Sequence, residues 1–286
     1  MTELNGKTRI VAIIGNPINH TLSPIMQNAA FLAGGLNYAY IPFAVNPENL
    51  EKAVAGLKAL GVCGFNVTIP HKTAIIPFLD GLDESAEAAG AVNTVNLSGT
   101  SFIGYNTDGD GLVDSLASDL EFFPGTEQIF VIGAGGAARG AIASLCRNGA
   151  KKITICNRSI KNAHSIMSDM KQRYPDSCIT VISMNNVSEA DIALSSLLLN
   201  TTSLGMKNEQ IEGINLDYLP KNAKVYDMVY SISATPLIDE AAKLDLQSAN
   251  GLGMLVAQGE RAFEIWTGKK APAGVMIRAV RSIVKL

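Results

Sequence analysis

A glycine-rich turn between an apolar run and a helical pattern most limits how this chain can fold. The turn is Gly133-Ala134-Gly135-Gly136-Ala137-Ala138, directly after the apolar run 128–132. Glycines permit a tight turn and let a pyrophosphate approach the backbone, and the free N–H groups of the following helix attract an anion. Ala138 stands where G-x-G-x-x-G has its third glycine, followed by Arg139, so we expect Ala138 to be the small residue that packs the helix on the strand. The pattern predicts a dinucleotide site on an α/β sheet.

Strand and helix patterns alternate on both sides of this turn. Further strands are predicted at 152–156, 179–182, 197–200 and 225–229, with helices at 161–174 and 189–192 between them. This alternation indicates a parallel sheet with right-handed crossovers. The first half contains shorter strands and helices, a hairpin around Ser98-Gly99-Thr100, and a helix for which Ser23 is the expected N-cap. The fold class is therefore α/β, with two domains.

Composition narrows the classes of partner. The 286 residues are 47% hydrophobic and 17% charged, and the net charge of -3 gives no reason to expect nucleic acid. No apolar stretch reaches the ~18 residues of a membrane span, and the polar N-terminus lacks a signal-peptide core, so we expect a soluble, cytoplasmic protein. The four cysteines form no Cys-x-x-Cys pair, which predicts no metal site and mostly buried thiols.

The end of the second predicted strand of this sheet indicates which dinucleotide binds. NAD sites usually carry an Asp or Glu there, bonded to the ribose hydroxyls. This chain has Cys156-Asn157-Arg158-Ser159, with Lys161 close by and no carboxylate. A guanidinium, an ammonium and a hydroxyl suit the 2′-phosphate of NADP. NADP is therefore predicted. NAD use stays an alternative, as does a reading of Arg158 and Lys161 as solvated surface charges.

Polar clusters lie at strand ends and loops of the first half, where open α/β folds bind ligands. They are Asn16-Pro17-Ile18-Asn19-His20-Thr21-Leu22-Ser23-Pro24, Asn66-Val67-Thr68-Ile69-Pro70-His71-Lys72, Gly90-Ala91-Val92-Asn93-Thr94 and Asn106-Thr107-Asp108-Gly109. Three more follow later in the chain: Asn200-Thr201-Thr202-Ser203, Asp227-Met228-Val229-Tyr230, and the stretch from Asn250 to Gln258. In this order the seven clusters resemble the shikimate dehydrogenase family over nearly the whole chain.

The resemblance implies a reversible, NADPH-dependent reduction of 3-dehydroshikimate to shikimate in aromatic amino-acid biosynthesis. It implies an N-terminal substrate-binding domain over 1–107, completed by C-terminal helices in 251–286, and a Rossmann-type NADP-binding domain over 108–250. The implied catalytic pair is Lys72 and Asp108. The implied substrate residues are Thr21 and Ser23 for the carboxylate, and Thr68, Asn93, Tyr230 and Gln258 for the ring, beside the catalytic pair. The implied cofactor residues are Glu84, Gly133, Ala134, Gly135, Gly136, Ala137, Asn157, Arg158, Ser159, Lys161, Thr202, Met228 and Gly251.

Departures from the family pattern concern both ligands. Family members usually carry Ser at position 21, Thr at 159 and Arg at 162, where this chain has Thr21, Ser159 and Asn162. The methyl group of Thr21 argues mildly against quinate, which carries an extra hydroxyl beside its carboxylate. An NAD-dependent quinate/shikimate dehydrogenase and a non-catalytic ligand sensor on the same fold stay open as alternatives. The oligomeric state, monomer or homodimer, is also open.

The expected chemistry follows from the charge that hydride transfer builds on a ketone oxygen. The Lys72 ammonium can stabilise that charge and deliver a proton, and Asp108 can orient it; electrostatic stabilisation and full acid/base action both stay open. Taken alone, Lys72 reads as a surface lysine and Asp108 as a helix cap. His20 and His71 lack a carboxylate at an evident spacing, so we expect them to be hydrogen-bonding residues beside the cleft.

Overall fold

A computed structural model describes residues 4–230 and 234–284 of the chain. The molecule divides into two compact α/β units, one over Met1–Asp108 with Val256–Leu286 and the other over Gly109–Leu255. Among the described residues, no helix combines the length and apolar character needed to cross a membrane.

The first unit is built on a mixed six-stranded sheet in the order β2-β1-β3-β5-β6-β4. Strand β1 pairs parallel with β2 and β3, β5 pairs antiparallel with β3 and β6, and the short β4 pairs parallel with β6. The strands are β1 (Arg9–Gly15), β2 (Tyr38–Ala44), β3 (Gly64–Val67), β4 (Gly81–Leu82), β5 (Thr94–Ser98) and β6 (Ser101–Tyr105). The predicted hairpin is present as β5 and β6, with Gly99 in its turn at a φ of 61°.

Four helices connect these strands: α1 (Ser23–Ala33), α2 (Leu50–Ala59), α3 (His71–Ala74) and α4 (Glu84–Ala89). Two 3-10 turns, Pro47–Asn49 and Ile76–Phe78, flank α2 and α3. The prediction that Ser23 caps α1 is wrong, because Leu22 is the N-cap and Ser23 lies in the first turn of the helix. Pro24 still occupies the first turn, where its missing N–H costs nothing.

The core of the first unit joins its sheet to the last helices of the chain. Phe65 and Phe102 meet edge to face, at 5.2 Å between ring centroids. From the C-terminal part, Trp266 donates its indole N–H to the Val95 carbonyl at 2.9 Å, beside Gly64, whose lack of a side chain makes room for the indole. Phe263 stacks on Phe31 of α1 at 5.2 Å. Both aromatic residues of the C-terminal part therefore belong to the core.

The second unit carries a fully parallel sheet in the order β12-β11-β10-β7-β8-β9. Its strands are β7 (Gln128–Ile132), β8 (Lys152–Asn157), β9 (Cys178–Ser183), β10 (Ser195–Asn200), β11 (Lys224–Asp227) and β12 (Gln247–Asn250). The remaining helices are α5 (Thr107–Leu120), α6 (Gly136–Arg147), α7 (Ile160–Arg173), α8 (Glu189–Ile192), α9 (Pro236–Lys243), α10 (Leu252–Thr267) and α11 (Val275–Val284). Helices α5 and α10 each begin in one unit and end in the other.

The α/β class and the parallel second sheet are confirmed, while two strands and one α-helix went unpredicted. Strands β4 and β12 are short, and β12 is the polar sequence Gln247-Ser248-Ala249-Asn250 at the sheet edge. Helix α9 lies in the connection between β11 and β12. An edge strand is held by main-chain bonds to one neighbour, so its sequence carries little hydrophobic signal.

Candidate active site

An ion pair in the first unit joins a lysine and an aspartate that are 36 residues apart in sequence. Lys72 lies on the short helix α3, and Asp108 lies in the first turn of α5, which begins at Thr107. Nζ of Lys72 donates to Oδ2 of Asp108 at 2.6 Å, and the two side chains are 33% and 25% exposed. A part of each charged group is therefore within reach of a ligand.

Asn93 holds the aspartate from the other side. Its amide nitrogen donates to Oδ1 of Asp108 at 2.8 Å and to the hydroxyl of Thr107 at 2.9 Å. Its amide oxygen accepts the backbone N–H of Thr107 at 2.8 Å. Gln258 Oε1 lies 3.5 Å from the same amide nitrogen. The structure thus brings together four of the predicted site residues: Lys72, Asn93, Asp108 and Gln258.

Thr21 and Ser23 form a second pair of hydroxyls, at the start of α1. The Thr21 hydroxyl lies 3.3 Å from the Ser23 hydroxyl and accepts the Ser23 backbone N–H at the same distance. Thr68, half-buried after β3, packs its methyl group against Gly15, where a side chain would collide with it. Among the described residues, no hydrogen bond joins these three residues directly to Lys72 or Asp108.

The glycine turn of the second unit begins on a residue whose backbone conformation favours glycine. Gly133 has a φ of 114°, its N–H donates to the Cys156 carbonyl at 2.8 Å, and a side chain there would strike the Thr201 hydroxyl. Gly135 caps α6 and, like Gly136, is exposed with open space where a side chain would stand. Ala137 is exposed, and Ala138 is fully buried as expected for the packing residue. The first N–H groups of α6 are therefore accessible to an anion.

The adjacent strand β8 ends in exposed basic residues. Asn157 donates from its side chain to the Ser159 carbonyl at 3.0 Å, which shapes the turn into α7. Arg158, Ser159 and Lys161 are exposed, and within the described ranges neither cation forms an ion pair. The carboxyl ends of β7 and β8 meet at the same sheet edge, so these cations and the glycine turn share that edge.

The other predicted cofactor residues are divided between the two units. Glu84 is an exposed first residue of α4 in the first unit. In the second unit Thr202 bonds Asn200 after β10, and Met228 follows β11. Gly251 lies against the Met228 carbonyl, which leaves no room for a side chain. Tyr230 is 43% exposed.

Sequence reasoning gave no role to Asp227, which is fully buried at the end of β11. Its carboxylate accepts from Asn200 Nδ2 at 2.8 Å, Val229 N at 3.1 Å and the Thr235 hydroxyl at 2.5 Å. Burial raises the pKa of Asp227, and these three hydrogen bonds oppose that rise. The available signal was an aspartate at the end of an apolar strand. A carboxylate buried there needs hydrogen-bond partners, so its position indicates a polar network.

The histidines and cysteines lie outside this chemistry. His20 and His164 are exposed, and His71 is fully buried with Nε2 2.7 Å from the Val45 carbonyl. Cys146 and Cys156 are buried, and burial raises the pKa of Cys156 to about 12. The expectation of mostly buried thiols is wrong for Cys178, which is exposed, and only partly met by Cys63. Among the described residues, no cluster of three or more His, Cys, Asp or Glu side chains could hold a metal ion.

A parallel sheet that opens on an accessible glycine turn is the architecture of a dinucleotide-binding domain. Three family models match the chain: the shikimate dehydrogenase substrate binding domain at residues 13–95, shikimate / quinate 5-dehydrogenase at 119–217, and the shikimate 5'-dehydrogenase C-terminal domain at 251–281. The chain belongs to the shikimate dehydrogenase family.

Similar proteins support this membership over the full length. A shikimate dehydrogenase (NADP(+)) of Geobacter metallireducens is 49% identical over 99% of both chains. A solved shikimate dehydrogenase in complex with NADP+ is 35% identical, with a TM-score of 0.90 over 99% of this chain and 98% of that one. The Listeria monocytogenes shikimate 5-dehydrogenase in complex with shikimate and NAD is 34% identical, with a TM-score of 0.92 over 98% and 99%.

Proposed function

We propose that this chain is an NADP-dependent oxidoreductase that interconverts 3-dehydroshikimate and shikimate, the activity predicted from its sequence. The observation that carries the proposal is the Lys72–Asp108 ion pair, whose carboxylate also accepts from Asn93. A partly exposed ammonium held at 2.6 Å from a carboxylate suits a reaction that builds charge on a substrate oxygen. Family membership supplies the substrate class.

The substrate would be held by the first unit, from the carboxylate end to the ring hydroxyls. Thr21 and Ser23, whose hydroxyls lie 3.3 Å apart at the start of α1, would bind the carboxylate through hydroxyl and backbone N–H groups. Thr68, Asn93 and Gln258 of the same unit would bind the ring substituents, together with the catalytic pair, and Tyr230, which belongs to the second unit, stays a predicted ring ligand. Neutral amides and hydroxyls suit a polyhydroxylated ring, because each discriminates against an analogue that lacks its hydroxyl.

Lys72 would act on the carbonyl oxygen of 3-dehydroshikimate. When bound, NADPH supplies the hydride to the carbonyl carbon. The Lys72 ammonium donates a hydrogen bond to the oxygen, stabilises its developing negative charge and provides the proton that completes the alcohol. Asp108 orients the ammonium through Oδ2, and its other oxygen is held by Asn93. In the reverse direction Lys72 takes up the proton as the alcohol is oxidised.

The second unit offers a site that fits NADP. The open space at Gly135 and Gly136 admits a pyrophosphate to the first N–H groups of α6, with Gly133, Ala134 and Ala137 completing the turn. Arg158, Ser159 and Lys161 would meet the 2′-phosphate, beside Asn157. The segment from Cys156 to Lys161 carries no carboxylate for the 2′-hydroxyl of NAD. Thr202, Met228 and Gly251 would line the nicotinamide side, and Glu84, which belongs to the first unit, stays a predicted residue of that side.

The predicted domains belong to the same proposal. Residues 1–107, completed by helices in 251–286, would bind the substrate, and residues 108–250 would bind NADP. The cytoplasmic location, the monomeric or homodimeric state and the lack of a nucleic-acid partner stay predictions from the sequence. Light scattering and a gel-shift assay would test the last two.

The deciding assay follows absorbance of the reduced nicotinamide with shikimate or quinate and with NADP or NAD, in all four combinations. We expect turnover with shikimate and NADP to dominate. Equal turnover of quinate would overturn the narrower substrate assignment, and preference for NAD would overturn the reading of Arg158 and Lys161. A folded protein silent in all four combinations would support the ligand-sensor alternative.

The catalytic role of Lys72 is tested by Lys72→Ala. We expect kcat to fall by about 10²–10⁴-fold while shikimate binding, measured by calorimetry, is retained. The matched control is Lys58→Ala, which breaks another lysine–aspartate pair, with Asp80 at 2.7 Å, on the surface of the same unit. Near-normal turnover in Lys72→Ala would remove Lys72 from the reaction.

A further inference from the structure

A chain of buried hydrogen bonds lies behind the catalytic pair in the first unit. The phenol of Tyr40, on β2, donates to Oδ1 of Asn66, on β3, at 2.5 Å. Asn66 donates from Nδ2 to the Asn93 carbonyl at 3.0 Å and to the Thr94 hydroxyl at 2.9 Å. The side chains of these residues are at most 6% exposed. Sequence reasoning gave no role to Tyr40, Asn66 or Thr94.

We propose that Tyr40 and Asn66 are positioning residues that orient Asn93 and, through Asn93, the Lys72–Asp108 pair. The inference rests on the function proposed above and names further residues on which that reaction depends. Neither residue needs to touch the substrate.

The direction of each hydrogen bond supports this role. Because Tyr40 donates to Asn66 Oδ1, the Asn66 amide must present its nitrogen to Thr94. The Thr94 oxygen then accepts, so its own proton is free to go to Asn93 Oδ1 at 3.1 Å. Each hydrogen bond therefore fixes which atom donates in the next one, from Tyr40 on β2 to the side chain of Asn93, as in cooperative buried networks.

Asn93 has only one orientation compatible with these neighbours. Its oxygen accepts from Thr94 and from the backbone N–H of Thr107, and its nitrogen donates to Asp108 Oδ1 at 2.8 Å. The reversed amide would set its nitrogen against the Thr107 N–H and its oxygen against the carboxylate of Asp108. Asp108 therefore receives a donor on Oδ1 and keeps Oδ2 for Lys72.

The phenol of Tyr40 remains a hydrogen-bond donor to Asn66 over the working range of pH. Burial raises the pKa of Tyr40 far above its ordinary value, so its phenol stays protonated in the working range of pH. The Ser23 hydroxyl opposes part of that rise. Asn66, which orients Asn93, therefore always faces a protonated phenol.

The test is Tyr40→Phe, which removes the hydroxyl and keeps the ring that packs 5.9 Å from the Trp266 ring. The buried Asn66 oxygen loses its donor, and only the two hydrogen bonds of its nitrogen still hold the amide in place. We expect kcat/KM for shikimate to fall by about tenfold, with the KM for NADP unchanged. The matched control is Tyr38→Phe, on the same strand and 7% exposed, whose ring lies under Arg9 instead.

A second variant, Thr94→Val, breaks the next link of the chain and should reproduce the same loss. Melting temperatures are measured for every variant, and kinetics are taken well below them. Unchanged kcat/KM for shikimate in a Tyr40→Phe protein that is merely less stable would overturn the inference, because the network would then serve folding alone. Equal losses in Tyr38→Phe and Tyr40→Phe would overturn it as well. A wild-type chain without turnover would remove the proposed function and this inference together.

Discussion

Asp227 is the buried acceptor that joins the loops after two neighbouring strands of the second unit. Its carboxylate accepts from Asn200, the last residue of β10, and from Val229 and Thr235 after β11. Asp227→Ala leaves all three donors without that acceptor in a space closed to water. A hydrogen bond to a charged group contributes about 1.5–3 kcal/mol, and these bonds are not independent. We therefore expect the free energy of unfolding to fall by about 3–5 kcal/mol.

Asp227→Asn removes the negative charge of the side chain and keeps its shape, so it tests the effect of the charge alone. The amide keeps an oxygen for Asn200 and Val229, and the Thr235 hydroxyl can turn to accept from the new amide nitrogen. The expected loss of stability at neutral pH is below about 1.5 kcal/mol. The two variants therefore differ mainly in how many donors they leave unpaired.

The raised pKa of Asp227 predicts how the stability difference between wild type and Asp227→Asn changes with pH. Burial makes the folded carboxyl bind its proton more tightly than the unfolded one does. Its contribution to stability is therefore complete below the ordinary value of 3.8 and is lost as pH rises through the folded value. Wild type should lose stability relative to Asp227→Asn as pH rises above that ordinary value.

Urea unfolding followed by circular dichroism measures this difference, from about pH 4 to about pH 8 at constant ionic strength. A wild-type advantage over Asp227→Asn that grows with pH would refute the raised pKa, because it would mean that the network favours the ionised form. A loss below about 1 kcal/mol in Asp227→Ala would refute the account of the network itself.

Two further variants test the cofactor edge and the start of α10. Arg158→Ala should raise the KM for NADP by about tenfold and leave the KM for NAD unchanged, while Arg173→Ala at the far end of α7 should change neither; kinetics with both cofactors decide this. Gly253→Ala should lower the free energy of unfolding by about 1–3 kcal/mol, because the new methyl group falls on the Asp119 carboxylate. Gly56→Ala, inside α2 with nothing within 4 Å, should instead stabilise the protein by about 0.5–1 kcal/mol, and a stable Gly253→Ala protein would contradict the predicted overlap.

The sequence predicted the elements whose signals are local. The glycine turn after β7 and the hairpin of β5 and β6 each depend on a few adjacent residues, and both are present. The alternation of the second half predicted its parallel sheet for the same reason. The polar strand β12 gave no such signal, since its position is set by main-chain bonds to β11.

In the candidate site, likewise, the sequence predicts individual residues but not the contacts between residues that are distant in sequence. The family motifs name Lys72, Asn93 and Asp108, but the bonds among them join residues 15 and 36 positions apart and cannot be read from spacing. The link from Tyr40 to Asn66 spans 26 positions and two parallel strands that flank β1. A tyrosine in an apolar strand reads as core, and only its partner reveals the donor.

The partial exposure of the Lys72–Asp108 pair bears on what the pair is for. An ion pair with side chains 33% and 25% exposed contributes little to folding, about 0–1 kcal/mol, because water screens it. Asp108 is also held by the buried Asn93, which Thr94 and Thr107 fix in turn. Ordering these side chains costs conformational entropy, and a stabilisation as small as that of the ion pair does not offset this cost. The surface pair of Lys58 and Asp80, with a similar distance of 2.7 Å, has no side-chain amide behind it among the contacts described, and its carboxylate accepts only the backbone N–H of Phe102 besides Lys58. The difference supports a catalytic rather than a stabilising role for Lys72 and Asp108, since preorganisation contributes to a reaction and not to the ground state of a folded chain.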